Sequence, residues 1–236
     1  MPVSDRAARL GRVAGRLPLC LGDEGDVGEL QLDAEAAQLV AQPQQAHLGQ
    51  REQRVDTDQG PLRIVGAYVP SRDATQEKTE RKKTWIDRFH KALDSTASDA
   101  PLLLLGDLNV LEPSHRPVHR GQFAPFEYAF YTGSTERHGL VDLFRHLHPD
   151  QVEHSWARRP ELGYRDDHAH GSPALVQRLI ACEYVHETRE LSPDGPRLTD
   201  HSGLAVRVSL TADRTLLTSD PATAVDAHNE PEPTLF

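Results

Sequence analysis

Pro101-Leu102-Leu103-Leu104-Leu105-Gly106-Asp107-Leu108-Asn109 decides the architecture of this chain. Successive side chains of a strand point to opposite sides, so an unbroken leucine run bounded by proline and glycine predicts a short strand buried on both faces. Gly106 permits a sharp exit at its end. Asp107 and Asn109 are two apart and, in extended geometry, project the same way from the strand mouth, offering one carboxylate and one amide to a common point. Such a pair suits an activated water, a hard metal ion or a phosphate. The same residues are also good turn formers, so the pair alone does not define a site.

Three further clusters share this placement beside strands. Thr199-Asp200-His201-Ser202 precedes the alternating run Leu204, Val206, Val208, Leu210, and brings a carboxylate and an imidazole into a half-buried strand together. Gly163-Tyr164-Arg165-Asp166-Asp167-His168 precedes a mixed apolar stretch. Gly66-Ala67-Tyr68-Val69-Pro70 ends a strand that runs from Leu62 and carries an aromatic hydroxyl to its tip.

Between these clusters the pattern turns helical. Asp73 with Gln76 makes a capping box, and Trp85, Phe89 and Leu93 recur every fourth residue. Helices are also predicted over 123–131 and 139–147, the second with Leu140, Phe144 and Leu147 on one stripe. Strands are predicted near 154–157, 165–169, 180–186 and 204–210. Alternating strands and helices without a Gly-x-Gly-x-x-Gly turn predict mixed α/β architecture and argue against a dinucleotide site.

The formal charge of -10 argues superficially against nucleic acid, but residues 1–60 and 211–236 carry most of the acidic excess. The middle of the chain is close to neutral. There, Lys78, Arg81, Lys82, Lys83, Arg88 and Lys91 form a basic run that suits either a phosphate backbone or the solvated face of a helix. Cys20 and Cys182 are the only cysteines, too few for a disulfide framework, which points to a reducing cytoplasm. No apolar stretch reaches membrane-spanning length, and the start lacks a secretory pattern.

In order along the chain, Tyr68 at a strand end is followed by a helix and by Gly-Asp-Leu-Asn at 106–109. Gly139-Leu140-Val141-Asp142-Leu143-Phe144-Arg145, His148-Pro149, Ser155-Trp156, Arg165-x-Asp167 and Thr-Asp-His-Ser at 199–202 come next. This order, over roughly residues 61–210, resembles the endonuclease/exonuclease/phosphatase superfamily, and the Gly139–Arg145 segment with Ser155-Trp156 looks most like its exonuclease III branch. The resemblance implies an α/β fold of two packed sheets flanked by helices (DNase I-like). It implies a phosphodiesterase that hydrolyses DNA with Mg²⁺ or Mn²⁺, as exodeoxyribonuclease III and abasic-site endonucleases do. The expected partner is duplex DNA with abasic or terminal sites; no membrane and no protein partner are expected. In roles carried over by position, Asp107 orients or deprotonates the attacking water and Asn109 holds water and a phosphate oxygen. His201 faces the phosphate, with Asp167 on its other nitrogen; Tyr68 offers its hydroxyl; Asp200 and Asp107 lie at the metal; Trp156 stacks near the substrate. Asp166 departs from the family, which usually places an apolar residue between Arg165 and Asp167. Histidines 115, 119, 138, 146, 148, 154, 168 and 170 match no zinc spacing and are expected mostly at the surface.

Three regions are expected: an atypical, weakly ordered segment 1–60, the carboxy-terminal portion of a catalytic domain at 61–210, and a disordered tail at 211–236. All 13 Phe, Tyr and Trp residues lie from Tyr68 onward, and residues 1–60 contain no Ile, Lys or Asn. A segment without large rings has little to offset its ordering entropy. The superfamily normally begins with a strand bearing an Asn, followed by a metal-binding Glu on the next core strand, and neither is recognisable here. One expectation is that residues 1 to about 60 stand in place of the true amino-terminal half, leaving the fold incomplete. The alternatives to a DNA-cleaving enzyme are a superfamily hydrolase of a small phosphoester and a non-catalytic remnant that lacks the metal-binding Glu.

Overall fold

The computed structural model describes residues 30–33, 50–73, 75–95, 99–119, 121–157, 163–190 and 199–213. The strand built from the leucine run, β4 (Leu102–Asp107), lies at the centre of a five-stranded sheet. With β2 (Gln50–Thr57), β3 (Gly60–Ala67), β5 (Val141–Asp142) and β8 (Asp167–Gly171), the order is β2-β3-β4-β8-β5. A three-stranded sheet comprises β1 (Leu30–Asp33), β10 (Gly203–Val208) and β9 (Leu179–Val185), with β10 between the other two. A ribbon of β6 (Trp156–Ala157) and β7 (Gly163–Tyr164) completes the strands.

The leucine run divides its side chains as its period requires. Leu103 and Leu105 point into a core shared with Leu62 of β3, Cys182 of β9 and Leu204, Val206 and Val208 of β10. Leu104 faces the other way, into a cluster with Trp85, Ile86, Phe89 and Leu93 of helix α1 (Gln76–Ser95) and Phe130 of helix α2 (Pro125–Glu136). Each fully buried leucine contributes about 1.5–3 kcal/mol relative to exposure. One strand thereby joins both hydrophobic layers. Trp85 stacks on Phe89 with ring centroids 5.0 Å apart, and Phe130 meets both rings edge-on.

Several sequence expectations are refined. Residues 139–147 are not one helix: β5 comes first, and Asp142 then caps the five-residue α3 (Leu143–Leu147) by accepting from the Arg145 N–H at 2.9 Å. The Asp73 carboxylate accepts from the Thr75 N–H, its hydroxyl and Lys78 ahead of α1, and the structure gives no Gln76 half of a box. The expected surface histidines include three that are buried: His115, His168 and His170 are 4%, 0% and 1% exposed. His168 Nε2 lies 2.8 Å from the Val110 carbonyl, which accounts for one polar atom of that buried ring.

The sheet also extends upstream of the boundary drawn at residue 61. β2 pairs antiparallel with β3 from Gln50↔Ala67 to Thr57↔Gly60, and β1 pairs with β10. β2 needs no aromatic residue because it is a sheet edge: Val55 and Thr57 are buried while Glu52, Gln53 and Arg54 are exposed, a charged edge that discourages pairing with another chain. The expectations for 1–29, 34–49 and 214–236 fall outside the described residues.

Candidate active site

The site assembles where β3 and β4 end side by side. The Val69 N–H donates to the Asp107 carbonyl at 2.9 Å, prolonging the pairing past Tyr68. Gly106 makes this approach possible: a Cβ there would lie 2.2 Å from the Ala67 carbonyl oxygen, and its φ of +137° is one that only glycine adopts readily. Beyond it the chain turns through Asn109, at φ 49°. The Asp107 carboxylate stabilises that turn by accepting from both the Asn109 backbone N–H and its side-chain amide, each at 2.9 Å. The amide also donates to the Val69 carbonyl, tying Asn109 to the neighbouring strand.

Across the sheet, Asp107 on β4 lies directly opposite Asp167 on β8. Side chains at such a cross-strand pair share a face and stand close together. Asp167 in turn holds His201, with Oδ2 2.8 Å from Nδ1. Ligand atoms of Asp107, Asp167 and His201 all fall within 4.8 Å of one another.

Backbone contacts fix these groups. The buried Ser155 hydroxyl accepts from the N–H groups of Asp166 and Asp167, while the Ser155 carbonyl accepts from the Ser202 N–H at 2.7 Å. Trp156 and His201 form an isolated antiparallel bridge. The Thr188 hydroxyl donates to the His201 carbonyl at 2.9 Å, and the Tyr184 hydroxyl donates to the Asp167 carbonyl at 2.6 Å. The Ser155-Trp156 dipeptide is thus a clasp between the loops bearing the carboxylate and the imidazole.

The charges perturb one another. Burial and the neighbouring Asp167 push the Asp107 carboxyl up to about 7, against the opposing pull of His201. Burial tends to lower His201, but the hydrogen bond and charge of Asp167, with Asp107 and Asp200 beyond, raise it to about 9. His201 is therefore an imidazolium at neutral pH. A base raised in the folded state contributes stability that is fully present below its ordinary value near 6.5 and is lost as pH rises through about 9. The C2–H resonance of His201 is expected to titrate near pH 9, and to fall toward the ordinary range in Asp167→Asn. A midpoint of 6.5 in the unsubstituted chain would contradict the ion pair.

The remaining sequence candidates border this centre. Tyr68 is 49% exposed, and burial of part of its ring together with the Asp107 carboxylate raises its phenol. Asp200 lies outside the group formed by Asp107, Asp167 and His201; its Oδ2 accepts from the Trp156 indole at 3.1 Å. Trp156 stacks on Tyr164, with centroids 5.3 Å apart and planes 14° off parallel. Both rings line a cleft of about 270 Å³, together with Asn109, Phe123, Asp166 and His201.

Two buried ion networks escape the sequence pattern. Lys82, from the basic run, is not on the solvated face: its ammonium donates to Glu127 Oε1 and the Asn109 carbonyl, both at 2.7 Å, and Arg72 grips the other oxygen of Glu127. Burial lowers the Lys82 ammonium while Glu127 opposes the shift. On the far side, Arg165 is fully buried against Glu112 and Asp142, and Arg145 also pairs with Glu112. Only partners distant in sequence distinguish these cations from surface ones.

Two packed sheets flanked by helices are a fold shared with solved structures of AP endonucleases and exonucleases. No family model matches the chain. A curated DNA-(apurinic or apyrimidinic site) endonuclease of Arabidopsis thaliana is 25% identical over 179 residues, covering 63% of this chain and 48% of that protein. The chain thus spans about half the length of this relative. An AP endonuclease structure from Archaeoglobus fulgidus aligns with a TM-score of 0.54 at 24% identity, covering 70% of this chain and 65% of the other. The 3′ phosphatase NExo from Neisseria, bound to product DNA hairpin, aligns with a TM-score of 0.52 at 24% identity over 61% and 60% of the two chains. The likeness to the exonuclease III branch read from the sequence recurs in the curated relative, and the fold agrees with it. Among the described residues no helix is long and apolar enough to cross a membrane.

Proposed function

We propose that this chain hydrolyses phosphodiesters in DNA in the manner of exonuclease III and abasic-site endonucleases, working in the cytoplasm. The observation that carries this reading is the cross-strand pair Asp107–Asp167 with His201 held on its rim and Asn109 beside it. A phosphate diester repels a nucleophile, so its hydrolysis requires a cation near the phosphate, an oriented water and a donor toward the oxygens that gain charge. The His201 imidazolium supplies the cationic donor, and Asp167 keeps its ring aimed. Asp107, fixed by Asn109, orients the attacking water or accepts its proton. With both amide N–H groups given to Val69 and Asp107, Asn109 offers its Oδ1 to the attacking water, and the exposed Tyr68 hydroxyl, beside the Asp107 carboxylate, donates toward the phosphate.

The donor set fits a divalent cation. Two of the three gathered groups are carboxylates, the oxygen ligands that Mg²⁺ and Mn²⁺ prefer, so Asp107 and Asp167 would hold the ion with Asp200 close by. When bound, the ion supplies charge neutralisation at the phosphate.

The intended substrate is a duplex with an abasic or terminal site. Binding of such a duplex is expected to weaken with salt, with a slope of about -0.9 in log K per log salt for each phosphate engaged. Fluorescence anisotropy between 50 and 200 mM NaCl, values at which that slope is readily resolved, measures it. A chain that ignores duplex DNA yet cleaves p-nitrophenyl phosphate is a hydrolase of small phosphoesters instead.

A further inference from the structure

One buried side chain of the cleft has no task in the proposed chemistry. Asp166 lies between Arg165 and Asp167. Its backbone is engaged on both sides: the N–H donates to the Ser155 hydroxyl at 3.0 Å, and the carbonyl accepts from the Leu108 N–H at 2.9 Å. Its carboxylate is not. The residue is 9% exposed and lines the cleft, its buried Oδ1 has no hydrogen-bond partner among the described residues, and burial with the charges of Asp107 and Asp167 raises its carboxyl well above the ordinary range. The nearby Lys82 ammonium directs its bonds to Glu127 and Asn109. A buried acceptor left unpaired is costly unless a ligand completes it.

The rest of the cleft limits what that ligand is. His201 and Asn109, which the proposed chemistry sets at the phosphate, line the same cleft. Trp156 and Tyr164 supply near-parallel aromatic planes, and Phe123 meets Tyr164 edge-on at 6.0 Å. The outer face of this aromatic stack and one carboxyl acceptor match a nucleobase, which stacks on aromatic side chains and donates from its amine edge. Carboxylates read the exocyclic amine of cytosine in this way. A bare sugar offers no flat face and no amine.

We propose that Asp166 is a specificity-determining residue that accepts a hydrogen bond from an amine-bearing nucleobase seated in the cleft beside the phosphate. Resting on the reading of this site as a DNA phosphodiesterase, the inference makes nucleotides that retain their base, as at strand ends, the preferred occupants over abasic sugars.

Isothermal titration of the full chain with 2′-deoxycytidine 5′-monophosphate and with 2-deoxyribose 5-phosphate tests this directly. The nucleotide is expected to bind about five- to tenfold tighter, the value of one net hydrogen bond. Asp166→Leu is expected to bring the ratio close to one without weakening the sugar phosphate. Asp166→Asn, which keeps volume and one acceptor oxygen, is expected to retain only part of the preference, and it supplies the reading if the leucine variant does not fold. Equal binding of the two ligands, or a ratio that either folded variant leaves unchanged, would overturn the assignment. Duplex binding measured in parallel separates the two levels: duplex bound without a nucleotide preference overturns the role of Asp166 alone, and binding of neither overturns the DNA reading with it.

Discussion

Arg165→Met is expected to cost about 3–5 kcal/mol of stability, the range for breaking a buried ion pair by removing one partner. Arg165 is fully buried, with Nη2 2.6 Å from Asp142 Oδ2 and 2.9 Å from Glu112 Oε2. Burial alone would raise both carboxyls. The Arg145 hydrogen bond and the Arg165 charge instead hold Glu112 at about 2, and Arg165 together with His168 holds Asp142 well below the ordinary carboxylate range. Methionine fills the volume and leaves Glu112 with Arg145 alone. Because domains of this size are stable by only about 5–15 kcal/mol, the variant should unfold some 10 °C or more lower in a circular-dichroism melt. An unchanged melting temperature would mean that this network does not exist in solution. The same network sets the acid limit. Glu112 is depressed in the folded state, so its contribution is present above its ordinary value near 4.5 and is lost as pH falls toward about 2.

His201→Ala is expected to lower the rate of phosphodiester cleavage by about 10²–10⁴, the range for a positioned acid or base. The substitution removes the imidazolium that Asp167 orients at 2.8 Å and leaves both Asp107 and Asp167 in place. His201 is partly exposed and belongs to neither hydrophobic cluster, so the fold should persist, with the melt lowered by loss of the pair with Asp167. Single-turnover cleavage with a matched melting curve separates the two effects. A rate within a few-fold of the unsubstituted chain would remove His201 from the chemistry.

How much of this was legible in the sequence depends on range. β4 and β10 follow from period: Leu103, Leu104 and Leu105 are buried on alternate faces, and Leu204, Val206 and Val208 all point into one core. Asp107, Asn109, Asp167 and His201 stand out in the sequence because each lies at or beside a predicted strand end. The Gly139–Arg145 segment, read for the branch of the family, is built as scaffold. Gly139 turns at φ +63°, Leu140 and Phe144 fill the core, Asp142 caps α3 and receives Arg165, and Arg145 pairs with Glu112. Local pattern did not reveal that Lys82 is buried, since its place in a basic helix looks like its neighbours' and Glu127 lies 45 residues away. Lys78, Lys83 and Lys91, by contrast, sit on the solvated face in exposed pairs with Asp73, Glu80 and Asp87. β2 was passed over because an edge strand can be mostly polar. The burial of His115, His168 and His170 likewise depends on strands and loops that meet only in the fold.

The proposed activity requires Asp107, Asp167 and His201 at the strand mouth, with Tyr68 beside them, to act on a single phosphodiester. Incision of an end-labelled duplex bearing an abasic site, assayed with the full chain in Mg²⁺ or Mn²⁺ and again in EDTA, tests it most directly. The prediction is strand cleavage that requires the divalent ion and that His201→Ala suppresses. Intact duplex in every condition, or cleavage that proceeds equally in EDTA, would contradict it.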